Sequence, residues 1–200
     1  MNLDEERAFR EALRRFDEAN AQDPNTILLA NRPIPYELFY AERLTEWVGR
    51  LRPNASTALL LAARCQHICR WLIPRDSYPR TRAGYLKWRT DLKQFHAKKS
   101  AEIMAESGCS PGLIERVQEL NLKKNLGNDE ELQVLEDALC LVTLQHQLSD
   151  LIRKTERKKM ISILQKTWKK MSTGAREEAL QLGYGRTERS LLEEALAGVQ

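Results

Sequence analysis

Apolar residues recur along almost the whole chain at the three- and four-residue spacing of amphipathic helices, and nowhere alternate over a length that would make a useful strand. A first helix is predicted over about Asp4 to Ala19, ending before the turn Asp23-Pro24-Asn25. A second follows Pro33 and Pro35, the latter suited to a first helical turn, and runs to about Leu51. Asn54 or Ser56 caps a third that reaches about Leu72 and is ended by Pro74. After an irregular stretch from Ile73 to Thr81, a long fourth helix is expected from Arg82 to Glu106, closed by Gly108; Ser110-Pro111 then opens a fifth to about Leu122. Asn128, followed by Asp129, Glu130 and Glu131 at the positive end of a helix dipole, opens a sixth that extends to about Arg153. A basic seventh helix over about Glu156 to Met171, a short eighth and a segment from Thr187 to Val199 complete the pattern. The expected fold class is all-α, a single helical bundle. Because Gly183-Tyr184-Gly185 interrupts the periodicity, the expected organisation is a helical domain over residues 1–182 and a helical tail over 183–200.

Polar residues that interrupt apolar faces mark the candidate chemistry. The sixth helix is apolar nearly all round (Leu132, Leu135, Ala138, Leu139, Leu141, Val142), yet Glu136 and Asp137 sit in its middle. A buried carboxylate needs a cation, a metal or strong donors, or it takes up a proton. An ion pair with Arg64, Arg70 or Arg89 is the structural alternative to a metal here. Glu37 lies on the edge of the second helix's inner face. His67 shares a face of the third with Ala63, Arg70 and Trp71, where a hydrogen-bonded core histidine is the ordinary alternative to a ligand.

Composition narrows the class. Two hundred residues suit one domain, or one with an appendage, and the longest apolar run, Ala58 to Ala63, is far too short to cross a bilayer. The charged start, MNLDEERAFREALRRF, lacks the apolar core of a secretory signal. Cys65, Cys69, Cys109 and Cys140 lie within long helical patterns, so reduced thiols and a cytoplasmic setting are expected. Cys65 and Cys69 bracket His67, but no further ligands at zinc-site spacing accompany them.

Charge adds a direction. The net charge is only +4, yet Arg70 to Lys99 holds nine Lys/Arg against two acids. On a helix, Arg82, Tyr85, Arg89, Lys93 and His96 fall in one stripe beside Trp88, Leu92 and Phe95. Such a line of cations along a core boundary is how a cleft wall for an anionic, phosphate-bearing ligand is built. A second basic run, Arg153 to Lys170, sets eight Lys/Arg against Glu156 and suggests nucleic acid as another partner.

The strings PYELFYAERLTEW (35–47), LAARCQHICRWLIPRDSYP (61–79), GYLKWRTDLKQFHA (84–97), LEDALCLV (135–142) and LQKTWKKMS (164–172) resemble the family called domain of unknown function 4202, over roughly Phe9 to Leu182. Some of its members carry a glutamyl-tRNA synthetase label, for which this chain has no Gly-rich phosphate loop and no nucleotide-binding βα pattern. The order of elements also resembles the HD-domain metal-dependent phosphohydrolases. That resemblance implies an HD-like core. It puts Gln66-His67 in the place of the His-Asp pair, Asp137 in that of the distant aspartate, Glu37 near the first histidine and His96 at an additional helical histidine. The defining His-Asp dyad is absent. On this resemblance, Glu37, His67, His96, Glu136 and Asp137 would hold a divalent metal (Mn, Fe or Zn), while Arg70, Arg82, Tyr85, Arg89 and Lys93 would bind a phosphorylated, nucleotide-like small molecule. The expected function is a metal-dependent phosphohydrolase-like protein; the alternative is a non-catalytic nucleic-acid-binding protein or a scaffold with a decayed site.

Overall fold

The computed structural model describes residues 2–123 and 128–198. Among the described residues the fold is all-α apart from one two-stranded hairpin, and no described helix is long and apolar enough to cross a membrane. The chain divides into two compact units, Met1–Leu132 and Gln133–Gln200.

In the first unit, α1 (Leu3–Asn20) starts with a reciprocal cap: the Glu5 N–H donates to Asn2 Oδ1, and the Asn2 N–H donates to the Glu5 carboxylate. A hairpin follows, β1 (Thr26–Leu29) antiparallel to β2 (Arg32–Pro35), with Ile27 opposite Ile34. The sequence pattern contains no sign of it. Its two-residue loop is Ala30-Asn31, both at positive φ (47° and 63°), a mirror-image turn made here without the usual glycine. Then come α2 (Tyr36–Leu51) and α3 (Thr57–Cys65), the latter capped by Ser56. α3 packs against α1, α2 and α5, and Ala58, Leu59, Leu61, Ala62, Ala63 and Cys65 are all buried. It is the central helix of this unit.

The third helix is shorter than the periodicity predicts. It stops at Cys65 instead of continuing to Leu72, and the chain turns through Cys69, which has a left-handed φ of 51°. The Cys69 N–H donates to the side-chain oxygen of buried Asn20 at 3.1 Å, so a tertiary acceptor replaces the helical one. Two 3-10 turns, Arg70–Leu72 and Arg75–Ser77, lead to α4 (Arg82–Glu106), whose bounds match the pattern. α5 (Pro111–Leu122) packs on α3 and α4. α6 (Glu130–His146) starts on an Asp129 side chain that accepts from the N–H groups of Glu131 and Leu132, so Asp129 caps it and not Asn128.

The sixth predicted helix breaks at Gln147. Beyond α6, the second unit holds α7 (Leu148–Lys154), α8 (Arg157–Lys170), α9 (Thr173–Leu180) and α10 (Arg186–Ala197). α10 packs on α7 and α8, and Leu191, Leu192, Met160, Leu164 and Leu148 are buried. The predicted end of the last segment, Val199, lies outside the described residues.

Candidate functional site

The first turn of α2 brings Glu37 inside. Asp23 fixes that turn: one carboxylate oxygen accepts from the Glu37 N–H at 3.0 Å, while the other accepts from the backbone and side chain of Asn25. Glu37 is 5% exposed. The break after α3 places His67 opposite it, with His67 Nδ1 at 3.7 Å from Glu37 Oε2 and Arg70 Nε at 3.9 Å from Glu37 Oε1. Both distances exceed a hydrogen bond, and Glu37 Oε2 is buried with no hydrogen-bond partner. Tyr40, one turn along α2, stacks on the His67 ring at 4.5 Å with the planes 18° apart.

His96 completes the cluster from α4, its ring 5.9 Å from that of His67. Its Nδ1 lies 2.9 Å from the Ile68 carbonyl. A carbonyl only accepts, so Nδ1 carries the proton and Nε2 presents a lone pair. That Nε2 is buried and has no hydrogen-bond partner.

The electrostatics follow from burial beneath a cationic rim. Burial pushes the Glu37 carboxyl up to about 8; Arg70 opposes the shift and Asp23 adds to it. His67 is held well below its ordinary value by burial first, then by Arg70, His96, Lys123 and Arg89. His96 is held at about 4, again by burial first, with the Ile68 carbonyl opposing and Arg70 and Arg89 reinforcing. At neutral pH the floor of the site is therefore uncharged, with the Arg70 guanidinium beside Glu37.

The family described as domain of unknown function (DUF4202) matches residues 10–192. The chain belongs to this family. No curated protein and no solved structure matches it.

Other predicted positions in this DUF4202 chain are placed differently. Arg82, Tyr85 and Arg89 are exposed on α4 and Lys93 is half-buried, whereas His96 at the end of the same stripe is core. Tyr85 pairs with Trp88 at 5.8 Å between ring centroids, and both lie under the Arg75 guanidinium. Arg70 also lies over the Trp88 ring, at 5.1 Å from its centroid. Trp88 is itself fixed by its indole N–H donating to the Ile73 carbonyl at 2.9 Å. Glu136 and Asp137 are both buried and belong to the second unit, where the pattern had let one of them face outward. Asp137 Oδ1 accepts from Gln133 Nε2 at 3.0 Å and from the Ser172 N–H at 2.9 Å, so it ties α6 to the start of α9. Arg64, considered as a partner for those acids, is engaged by Asp17 through two hydrogen bonds of 2.6 and 2.8 Å.

Among the described residues no three His, Cys, Asp or Glu side chains form a set able to hold a metal ion. All four cysteines are free and buried. Sequence reasoning missed Asn20, Asp23, Tyr40 and Lys123. Asp23 had a signal in Asp-Pro-Asn, an Asx-type turn whose second oxygen was left to receive another donor. Tyr40 falls on the inner face that helical periodicity gives α2, while Asn20 and Lys123 gave no signal.

Proposed function

We propose that the first unit binds a phosphorylated, nucleotide-like small molecule over the Glu37–His67–His96 cluster and acts on it as a phosphohydrolase-like protein. The observation that carries this is the pair of buried atoms without hydrogen-bond partners, Glu37 Oε2 and His96 Nε2, beneath Arg70. Buried polar atoms are nearly always satisfied by protein, water or an ion, so two such atoms facing one cluster invite a polar ligand. His67 and Arg70 approach Glu37 to ion-pair distance, 3.7 and 3.9 Å, and neither closes to a hydrogen bond, which leaves Glu37 Oε2 open to a ligand's donor.

In this proposal Arg70 and Arg89 hold phosphate oxygens, with Arg70 the better ordered of the two because Trp88 supports its guanidinium face. Protonated Glu37 donates to a phosphate oxygen or to the leaving group instead of repelling the anion. His67 receives a proton when the anion raises its affinity for one. Glu37, His67 and His96 offer the donor types of a Mn, Fe or Zn site, but they do not form a three-donor set, so no step is routed through an ion. Free, buried thiols accord with a cytoplasmic setting.

Calorimetric titration with inorganic phosphate and with nucleoside mono- and triphosphates tests the proposal, alongside phosphate release and elemental analysis of the purified protein. Binding is expected to weaken at least tenfold in Arg70→Ala and to be accompanied by proton uptake that is lost in His67→Ala. Failure of every phosphorylated probe to bind, with or without added Mn, Fe or Zn, overturns it.

A further inference from the structure

We infer that the outer face of α8 in the second unit is a docking surface for duplex nucleic acid, contacting the phosphate backbone without reading sequence. α8, RKKMISILQKTWKK, contains six cations and no acid. At 100° per residue, Lys158, Lys159, Lys166, Lys169 and Lys170 fall within an arc of about 120°. Met160 and Leu164, on the opposite side, are buried, while all five lysines are exposed.

The arginines of this region are engaged, Arg153 with Asp150 and Arg157 with Glu194. None of the five lysines makes an ion pair among the described residues. Two features of the face work against the helix itself. Lys158 and Lys159 stand in the first turn, which contains no acid and where the helix dipole disfavours cations. Lys166 is three and four residues from Lys169 and Lys170, the spacing at which like charges repel. Lys169 and Lys170 suit the last turn and Glu156 caps the first, so the helix stands in solvent, and an anionic partner relieves the two unfavourable terms.

The geometry selects among polyanions. From Lys158 to Lys169 is eleven residues, about 17 Å along the axis, enough to reach phosphates on both sides of a major groove about 12 Å wide. The lysine face carries no aromatic side chain for stacking single-stranded bases: Trp168 lies outside the arc, with the Arg176 guanidinium over its ring. No exposed apolar side chain on α8 offers itself to a bilayer, since Ile161, Ile163 and Trp168 are half-buried. Lysines without bidentate partners position a backbone and do not specify bases.

The test uses the full chain and a fluorescent 24-base-pair duplex of arbitrary sequence, titrated between 50 and 200 mM salt. Three to five phosphates neutralised predict a log–log slope of about −3 to −4.5, which is roughly a 60- to 500-fold loss of affinity over that range. Lys158→Gln with Lys159→Gln should lower the slope by about 2, and all five changes should abolish binding, while Arg7→Gln with Arg10→Gln on α1 leaves it unchanged. Exposed Lys→Gln changes on a packed helix keep the fold, which circular dichroism verifies. Absence of binding at 50 mM salt overturns the inference. So does a slope that follows Arg82→Gln and Arg89→Gln and ignores the lysines, tighter binding to the single strand, or tighter binding to anionic vesicles. The outcome that follows Arg89 also touches the first unit, where the proposed function gives Arg89 a phosphate to hold; the others leave the ligand proposed there untouched.

Discussion

His67 Nδ1 lies 3.7 Å from Glu37 Oε2, close enough to share a field and too far to share a hydrogen bond. Burial keeps both groups uncharged at neutral pH, one by retaining a proton and the other by refusing it. The pair thus combines a proton donor and a proton acceptor under a guanidinium, which is the property a phosphate ligand would use.

The first prediction is a stability maximum near pH 6.5. Glu37 keeps its proton in the native state up to about 8, so stability present below 4.5 is lost as pH rises toward 8. His67 and His96 are held below 6.5, His96 at about 4, so stability present above 6.5 is lost as pH falls toward 4. Between 4.5 and 6.5 the two histidines outweigh the one carboxyl, and above 6.5 the carboxyl acts alone. Each limb should slope by about 1.4 kcal/mol per pH unit for one net proton. Urea unfolding at pH 5, 6.5 and 8 measures this. Glu37→Gln should flatten the alkaline limb and steepen the acid limb between 4.5 and 6.5, where the two histidines are then unopposed; an unchanged alkaline limb in that variant would disprove the assignment.

Asn20 is predicted to be a positioning residue. Its side chain holds the Cys69 N–H in a left-handed turn between His67 and Arg70. Asn20→Ala leaves that buried donor unmet, at a cost of about 1–3 kcal/mol. It should weaken phosphate binding as well. Cys69→Gly, which adopts the same backbone without strain, should preserve binding. Loss of binding in Cys69→Gly with binding kept in Asn20→Ala would point to the thiol and not to the turn.

Gly84→Ala should destabilise the start of α4. A Cβ there would stand 2.3 Å from the Pro79 carbonyl oxygen, and a backbone atom yields poorly. A cost of about 1–3 kcal/mol is expected, together with release of Arg75, whose guanidinium donates to the carbonyls of Tyr78 and Pro79. Thermal unfolding and the fluorescence of Trp88 report it; a melting temperature equal to wild type would refute the close approach.

Asp137→Ala should lower stability by about 1–3 kcal/mol, because the Ser172 N–H loses its acceptor. Phosphate affinity and metal content should not change. A fall in metal content would restore Asp137 to the ligand set and show that its bond to Ser172 is not its main role.

Helical periodicity and capping residues made most of the elements legible: α1, α2, α4, α5 and α8 lie within a few residues of their predicted bounds. Capping and amphipathic spacing are local properties, written over a turn or two of chain. Where a distant group intervenes, local rules fail. The third helix ends seven residues early because the Asn20 side chain, 49 positions away, captures the Cys69 N–H. The hairpin forms on Ala30-Asn31, whose composition does not announce a positive φ.

By itself the sequence determined an all-α chain, its family, the concentration of cations in two runs and the two histidines and acids worth watching. Only the tertiary structure decided which of these meet. It joined Glu37, His67, His96 and Arg70, and gave Asp137 a structural partner in Ser172. The reason is physical: charge and periodicity are properties of a segment, whereas desolvation and missing hydrogen-bond partners arise only when segments far apart in sequence close around the same atoms.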